Sequence, residues 1–181
     1  MQTQSLYQKA IKFAALKHLE QDQIVPGSEL PYVVHLSNVA MEILLAAQHS
    51  ANFDLDYAVQ VALLHDTLED TSTTIEELIT EFGPMIAEGV LALTKNEALP
   101  KPERMPDSLR RIKQLQAETW AVKLADRITN LQTPPSHWDT AKKIEYRNEA
   151  VIILEELKGG NTFLEERLRL KITEYEKYIQ S

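Results

Sequence analysis

Residues 62–71, Ala62-Leu63-Leu64-His65-Asp66-Thr67-Leu68-Glu69-Asp70-Thr71, place four side chains able to bind metal or carry protons within six positions, directly after an apolar run. The hydrophobic period predicts a helix that begins near Asp54 and carries this stretch. Tyr57, Val61, Leu64 and Leu68 form its apolar stripe, and Ala58, Ala62, His65 and Glu69 form a neighbouring stripe of small and polar residues. Residues four apart share a helix face, which pairs His65 with Glu69 and Asp66 with Asp70. The helix is expected to stop in Thr71-Ser72-Thr73-Thr74, where Thr74-x-x-Glu77 reads as a capping box for its successor.

Two adjacent ligands cannot fill a coordination sphere, so partners must come from other helices. His35 stands near the start of an apolar helix, and Asp126 lies in Ala-Val-Lys-Leu-Ala-Asp, where a carboxylate is costly to bury unpaired. Two imidazoles and two carboxylates from three helices make a mixed N/O site that suits Mn²⁺, Fe²⁺ or Co²⁺ with open positions, and zinc stays open. Each residue also has a plainer reading. His35 could be a helix-start residue, Asp126 could pair with Lys123 or Arg127, and His65-Asp66 could be a satisfied polar pair. The order His…His-Asp…Asp on successive helices requires all of these coincidences at once.

Outward from this stretch the pattern stays helical. A first helix is expected from Ser5 to Glu20, then the loop QDQIVPGSEL, then a helix with Pro31 as an early position. Gly83-Pro84 separates two further helices, and NEALPKPERMP, with three prolines, reads as a loop before helical patterning returns near Ser108. Trp120, Leu124, Ile128 and Leu131 form a buried stripe, Pro134-Pro135 ends that helix, and a long helix from about Asp139 to Lys158 stops at Gly159-Gly160. Asn161 caps the last helix. The fold class is therefore all-α, a helical bundle of roughly eight to ten helices. Residues 1–181 are expected to form a single domain, with 161–181 as a C-terminal packing helix.

The composition removes several chemistries. The 181 residues contain no cysteine, which excludes thiol nucleophiles, Cys-ligated zinc and disulfides, and fits a reducing cytoplasm. No apolar run approaches the ~18 residues that span a membrane, and the N-terminus lacks the apolar core of a secretory signal. The net charge of −8 disfavours nucleic acid and anionic lipid as partners. The charge is uneven: no Lys or Arg occurs from His18 to Thr94, whereas 95–127 holds eight against five acids. That split reads either as two differently solvated faces, or as an acidic half for a cation and a basic half for an anion.

The segments FAALKH (13–18), PYVVH (31–35), ALLHDTLEDT (62–71), EFG (81–83), LPKPER (99–104) and VKLADRITNL (122–131) together resemble the HD-domain phosphohydrolases. Among these the chain is most similar to the alarmone hydrolases, both the hydrolase domain of RelA/SpoT proteins and the free-standing Mesh type. The resemblance implies a metal, most often Mn²⁺, held by His35, His65, Asp66 and Asp126. It implies that Glu69 and Asp70 orient or deprotonate the attacking water. It also implies that Asn130 and Thr133 line a nucleotide pocket, and that Lys101 and Arg104 belong to a basic segment near the phosphates. The implied reaction removes pyrophosphate from the ribose 3′ oxygen of (p)ppGpp or (p)ppApp through a metal-activated water. The expected partner is a small nucleotide, with no nucleic acid and no membrane; a homo-oligomer stays open.

One stretch departs from the family. The loop before the first ligand, where the alarmone hydrolases usually carry Arg and Lys, reads QDQIVPGSEL, with Ile24, Val25 and Pro26 at the corresponding places. The metal residues are untouched, but cation–π attraction to a purine, worth about 0.5–2 kcal/mol, is lost. Another HD nucleotide phosphohydrolase activity, such as removal of the phosphate of NADPH, is therefore the alternative, and a non-catalytic nucleotide-binding module the third reading. Retention of all four ligands with Glu69 and Asp70 weighs against the third.

Overall fold

Helix α1 (Gln2–Leu19) leads through a loop to α2 (Val33–Gln48) and then to α3 (Leu55–Leu64), the pillar of the fold. Every residue of α3 from Tyr57 to Leu64 is buried, including Gln60, because the helix is apolar on nearly all sides. Asp54 caps it by accepting from the Tyr57 amide. The computed structural model describes residues 2–180. Among them follow α4 (Thr67–Asp70), α5 (Ile75–Phe82), α6 (Pro84–Leu93), α7 (Lys101–Ile112), α8 (Ala117–Asn130), α9 (Thr140–Glu156), α10 (Thr162–Tyr175) and a 3₁₀ turn, Glu176–Tyr178.

Helix α3 packs against α1, α2, α6 and α8, while α10 closes the far side against α8 and α9. One buried apolar cluster runs from Ala10 and Ala14 through Leu63, Leu64 and Leu124 to Leu164 and Leu168. The approach of α6 to α3 is close enough to require Gly89. A Cβ there would stand 2.3 Å from the Tyr57 hydroxyl, which is itself hydrogen-bonded to Thr119 at 2.8 Å. No described helix is long and apolar enough to cross a membrane. The described residues form no strand; the nearest approach is an isolated antiparallel bridge between Ile24 and Pro31.

The all-α reading holds, and so do the N-caps read from sequence: the Thr74 hydroxyl accepts from Glu77 N, and the Asn161 amide oxygen from Leu164 N. The capping box at Thr74 is only half formed, because the Glu77 carboxylate pairs with Lys17. Three expectations need correction. Pro31 is not a helix position, because it pairs with Ile24 in an isolated bridge and α2 begins at Val33, after Tyr32. The helix expected to carry the whole of ALLHDTLEDT ends at Leu64; a turn at His65 and Asp66 precedes α4. NEALPKPERMP is not a loop throughout, because α7 begins at Lys101, inside it. Pro102 falls in the first turn, where its missing N–H has no partner to lose. Pro106 lies on the exposed side, and the buried Ser108, Leu109 and Ile112 hold the helix to α6.

Candidate metal centre

The break after α3 shapes the site. Residue His65 still has helical angles, but Asp66 swings to φ −100° and ψ −2°, so both side chains turn toward one point instead of sharing a helix stripe. There His65 Nε2 stands 2.9 Å from Asp66 Oδ2, 3.3 Å from His35 Nε2 and 3.6 Å from Asp126 Oδ1. His35 Nε2 lies 3.6 Å from both Asp66 Oδ2 and Asp126 Oδ1. Donors about 2.0–2.2 Å from a shared ion stand roughly 2.8–3.6 Å apart, from octahedral to tetrahedral angles. His35, His65 and Asp126 are therefore brought together at a spacing that could hold a metal ion, and Asp66 adjoins the two imidazoles. His35, His65 and Asp126 are all buried.

Their surroundings orient each donor. The Nδ1–H of His65 donates to the Ala62 carbonyl at 2.7 Å, which leaves Nε2 bare and facing the cluster. The Tyr32 phenol donates to Asp66 Oδ2. Asp126 uses its two oxygens differently: Oδ2 takes Lys123 at 3.1 Å, while Oδ1 faces the imidazoles and accepts from the Asn130 amide at 2.5 Å. The salt-bridge reading of Asp126 is met by Lys123 at one oxygen, and the other oxygen is left toward the imidazoles.

The charges call for a cation. With neutral imidazoles the four groups carry a formal charge of −2 in a buried place, and that is costly. Burial opposes protonation of His65, yet the carboxylates of Asp66 and Asp126 outweigh it and hold its pKa well above the usual imidazole range. Burial pushes Asp66 and Asp126 upward, but His65 and His35 around the first, and Lys123 and His65 around the second, hold both well below ordinary carboxylates. A divalent ion would supply the positive charge that these groups otherwise draw from a proton.

Glu69 and Asp70 are held differently. Glu69 accepts from the Lys95 ammonium at 2.6 Å and from the Lys95 amide at 3.1 Å. Burial works against the charge of Lys95, but Glu69 raises its pKa. Burial and the negative charge of Asp66 push Asp70 up to about 6, against a hydrogen bond from Gln23.

Two cavities border residues of the cluster or their partners. The first, about 350 Å³, contains His35, Asn130 and Thr133 in its lining, with Val25, Pro26 and Trp138 as apolar wall. No Lys, Arg, Asp or Glu lines it. The second, about 260 Å³, is lined by Glu69 together with Lys95, Lys101, Arg104, Lys123 and Arg127. Asn130 reaches Asp126 from the first cavity and Lys123 from the second, because both lie on the same face of α8. The substrate-binding residues expected from sequence therefore divide, Asn130 and Thr133 on the uncharged side, Lys101 and Arg104 on the basic side. Arg104 is also tied to the Leu99 and Glu97 carbonyls at 3.0 Å each.

Sequence reasoning missed Tyr32 and Lys95 as partners of the site. Tyr32 precedes His35 by about one helical turn, and Lys95 is the first cation after a long stretch without one; each is a signal that could have found it.

A helical bundle that gathers His35, His65 and Asp126 into a group compatible with a metal ion, with Asp66 beside the imidazoles, fits the class of HD-type hydrolases. The chain belongs to the HD-domain family, whose model matches residues 10–157. Its relatives include guanosine-3′,5′-bis(diphosphate) 3′-pyrophosphohydrolase MESH1 of Danio rerio, 34% identical over 165 residues, 89% of each chain. The human MESH1 of the same name is likewise 34% identical over 89% of each chain. A solved structure described as a metazoan orthologue of SpoT that hydrolyses ppGpp superposes with a TM-score of 0.80 at 27% identity, covering 93% of this chain and 94% of the other.

Proposed function

We propose that the chain hydrolyses a nucleotide 3′-pyrophosphate, (p)ppGpp or (p)ppApp, with Mn²⁺ held by His35, His65, Asp66 and Asp126. The observation that carries this is the buried His35–His65–Asp126 group, with an uncharged cavity lined by His35 and a basic cavity lined by Glu69 and by Lys123, the partner of Asp126. The full-length likeness to relatives named for this activity supports it.

The base and ribose enter the cavity of Val25, Pro26, Asn130, Thr133 and Trp138, and the phosphates extend past Asp126 toward Lys101, Arg104 and Lys123. The bound ion would supply Lewis acidity toward a phosphoryl oxygen and acidify water beside it. Asp70 takes the proton of the attacking water; a carboxyl near 6 is a better acceptor at neutral pH than an ordinary one. Glu69, fixed by Lys95, orients that water. The water oxygen forms the new bond to phosphorus, the P–O3′ bond breaks, and the ribose oxygen regains a proton. Lys101, Arg104 and Lys123 offset the charge on the departing pyrophosphate.

The test is a side-by-side assay with Mn²⁺ of guanosine and adenosine 3′-pyrophosphates and NADPH, identifying the released group. Pyrophosphate from the 3′-pyrophosphates supports the reading. Inorganic phosphate from NADPH alone would replace it with the phosphatase, and nucleotide binding without turnover with the binding module.

A further inference from the structure

Helix α10 ends on Tyr175, and this residue combines properties that apolar packing alone does not explain. It is 1% exposed, yet it belongs to the lining of the uncharged cavity of about 350 Å³, with Asn130, Thr133 and Trp138. Its hydroxyl finds no hydrogen-bond partner among the described residues. Of the buried side-chain polar atoms in that condition, the Tyr175 hydroxyl is the one whose residue lines this cavity.

The ring is held from two sides. Tyr178 meets it edge-on, with centroids 5.5 Å apart and planes inclined by 66°, and Tyr146 lies at 6.3 Å, inclined by 48°. Tyr146 in turn meets Trp138, so aromatic rings run from the C-terminal turn to the Trp138 wall. The Tyr178 and Thr133 hydroxyls are hydrogen-bonded at 3.0 Å, which ties that turn to the cavity. Two other polar side chains of the lining are already engaged: Asn130 donates to Asp126 at 2.5 Å, and Gln132 to the Thr129 carbonyl at 2.7 Å.

A buried hydroxyl without a partner costs stability, and phenylalanine would fill the same space without that cost. The chain nonetheless keeps a polar atom at the wall of a cavity that no charged side chain lines. We propose that the Tyr175 hydroxyl is a substrate-binding group that hydrogen-bonds the nucleoside of the bound nucleotide. This rests on the reading of the cavity as the base and ribose pocket. A phenol both donates and accepts, so it suits a ribose hydroxyl or the polar edge of either purine. Shielding from bulk water strengthens such a bond. Helix α10 then supplies part of the nucleotide site besides covering the core.

Tyr175→Phe removes the hydroxyl and keeps the ring. Guanosine 5′-diphosphate carries the nucleoside and has no 3′ group to lose, so calorimetric titration in Mn²⁺ reads its binding without turnover. Its affinity for Tyr175→Phe falls about three- to tenfold, and KM for guanosine 3′,5′-bis(diphosphate) rises by a similar factor. The kcat stays within about twofold. The unliganded melting temperature equals or exceeds the parent's, because the unpartnered hydroxyl is gone. Unchanged affinity overturns the proposal. So does a loss of affinity accompanied by a lower melting temperature, which marks a structural role. If the parent binds nucleotide with the expected dependence on Tyr175 but releases no pyrophosphate, the hydrolase reading fails and the Tyr175 assignment stands. A parent that binds neither nucleotide overturns both.

Discussion

The Tyr32 phenol donates its hydrogen to Oδ2 of Asp66, the same oxygen that stands 2.9 Å from His65 Nε2. Burial and the charge of Asp66 push the Tyr32 hydroxyl far above its usual pKa, so it is a donor at every working pH. Removing that hydroxyl leaves Asp66 free to rotate. Tyr32→Phe is expected to weaken Mn²⁺ binding about 10–100-fold with little change in melting temperature. Isothermal titration with Mn²⁺ measures it; unchanged affinity would detach Tyr32 from the site.

Glu69 and Asp70 are neighbours with unequal tasks. Glu69 is neutralised by Lys95, while Asp70 lies near Asp66 with its carboxyl pushed up to about 6. Asp70→Asn is expected to lose more kcat than Glu69→Gln. The acceptor works as the carboxylate, so activity is present above its pKa and lost as pH falls through it. A cation beside Asp66 offsets part of the charge that raises Asp70, which places the acid limb of the parent at or below about 6. A pH–rate profile checks this: the limb should vanish from the residual activity of Asp70→Asn.

In the proposed function the base meets the uncharged cavity through apolar contact. Trp138 meets Tyr146 edge-on, with centroids 5.0 Å apart, and lines the cavity beside Val25 and Pro26. Trp138→Ala is expected to raise KM for guanosine and adenosine substrates alike, about tenfold, from the loss of roughly 1–3 kcal/mol of stacking. Steady-state kinetics on both substrates would show it, and a change confined to kcat would contradict it.

The α3–α6 contact depends on a missing side chain. A methyl at Gly89 meets the Tyr57 hydroxyl at 2.3 Å, and that hydroxyl is fixed by Thr119. Gly89→Ala is expected to destabilise the fold by about 1–3 kcal/mol, despite the better helix propensity of Ala. Urea unfolding measures the loss.

The sequence made the ligand types legible because His35, His65, Asp66 and Asp126 are polar residues set in apolar runs, where they need partners. It also made most helix boundaries legible through caps such as Thr74 and Asn161. It misplaced the geometry of His65–Asp70. The i, i+4 rule presumes an unbroken helix, and nothing in the apolar period of 54–68 announces the turn at Asp66. α7 was hidden for a different reason: its prolines occupy the first turn and the exposed side, where they are tolerated. Partners that depend on tertiary packing, such as Tyr32 with Asp66 and Lys95 with Glu69, have no local signature beyond their nearness to the motifs.

In the proposed function one divalent ion is held jointly by His35, His65, Asp66 and Asp126. Equilibrium dialysis against Mn²⁺ with metal analysis of the protein tests it most directly, on the parent, His65→Ala and Asp126→Ala, each checked for folding by circular dichroism. One ion per chain in the parent and none in either folded variant is the expected result. Retention of one tightly bound ion by either variant would contradict the assignment.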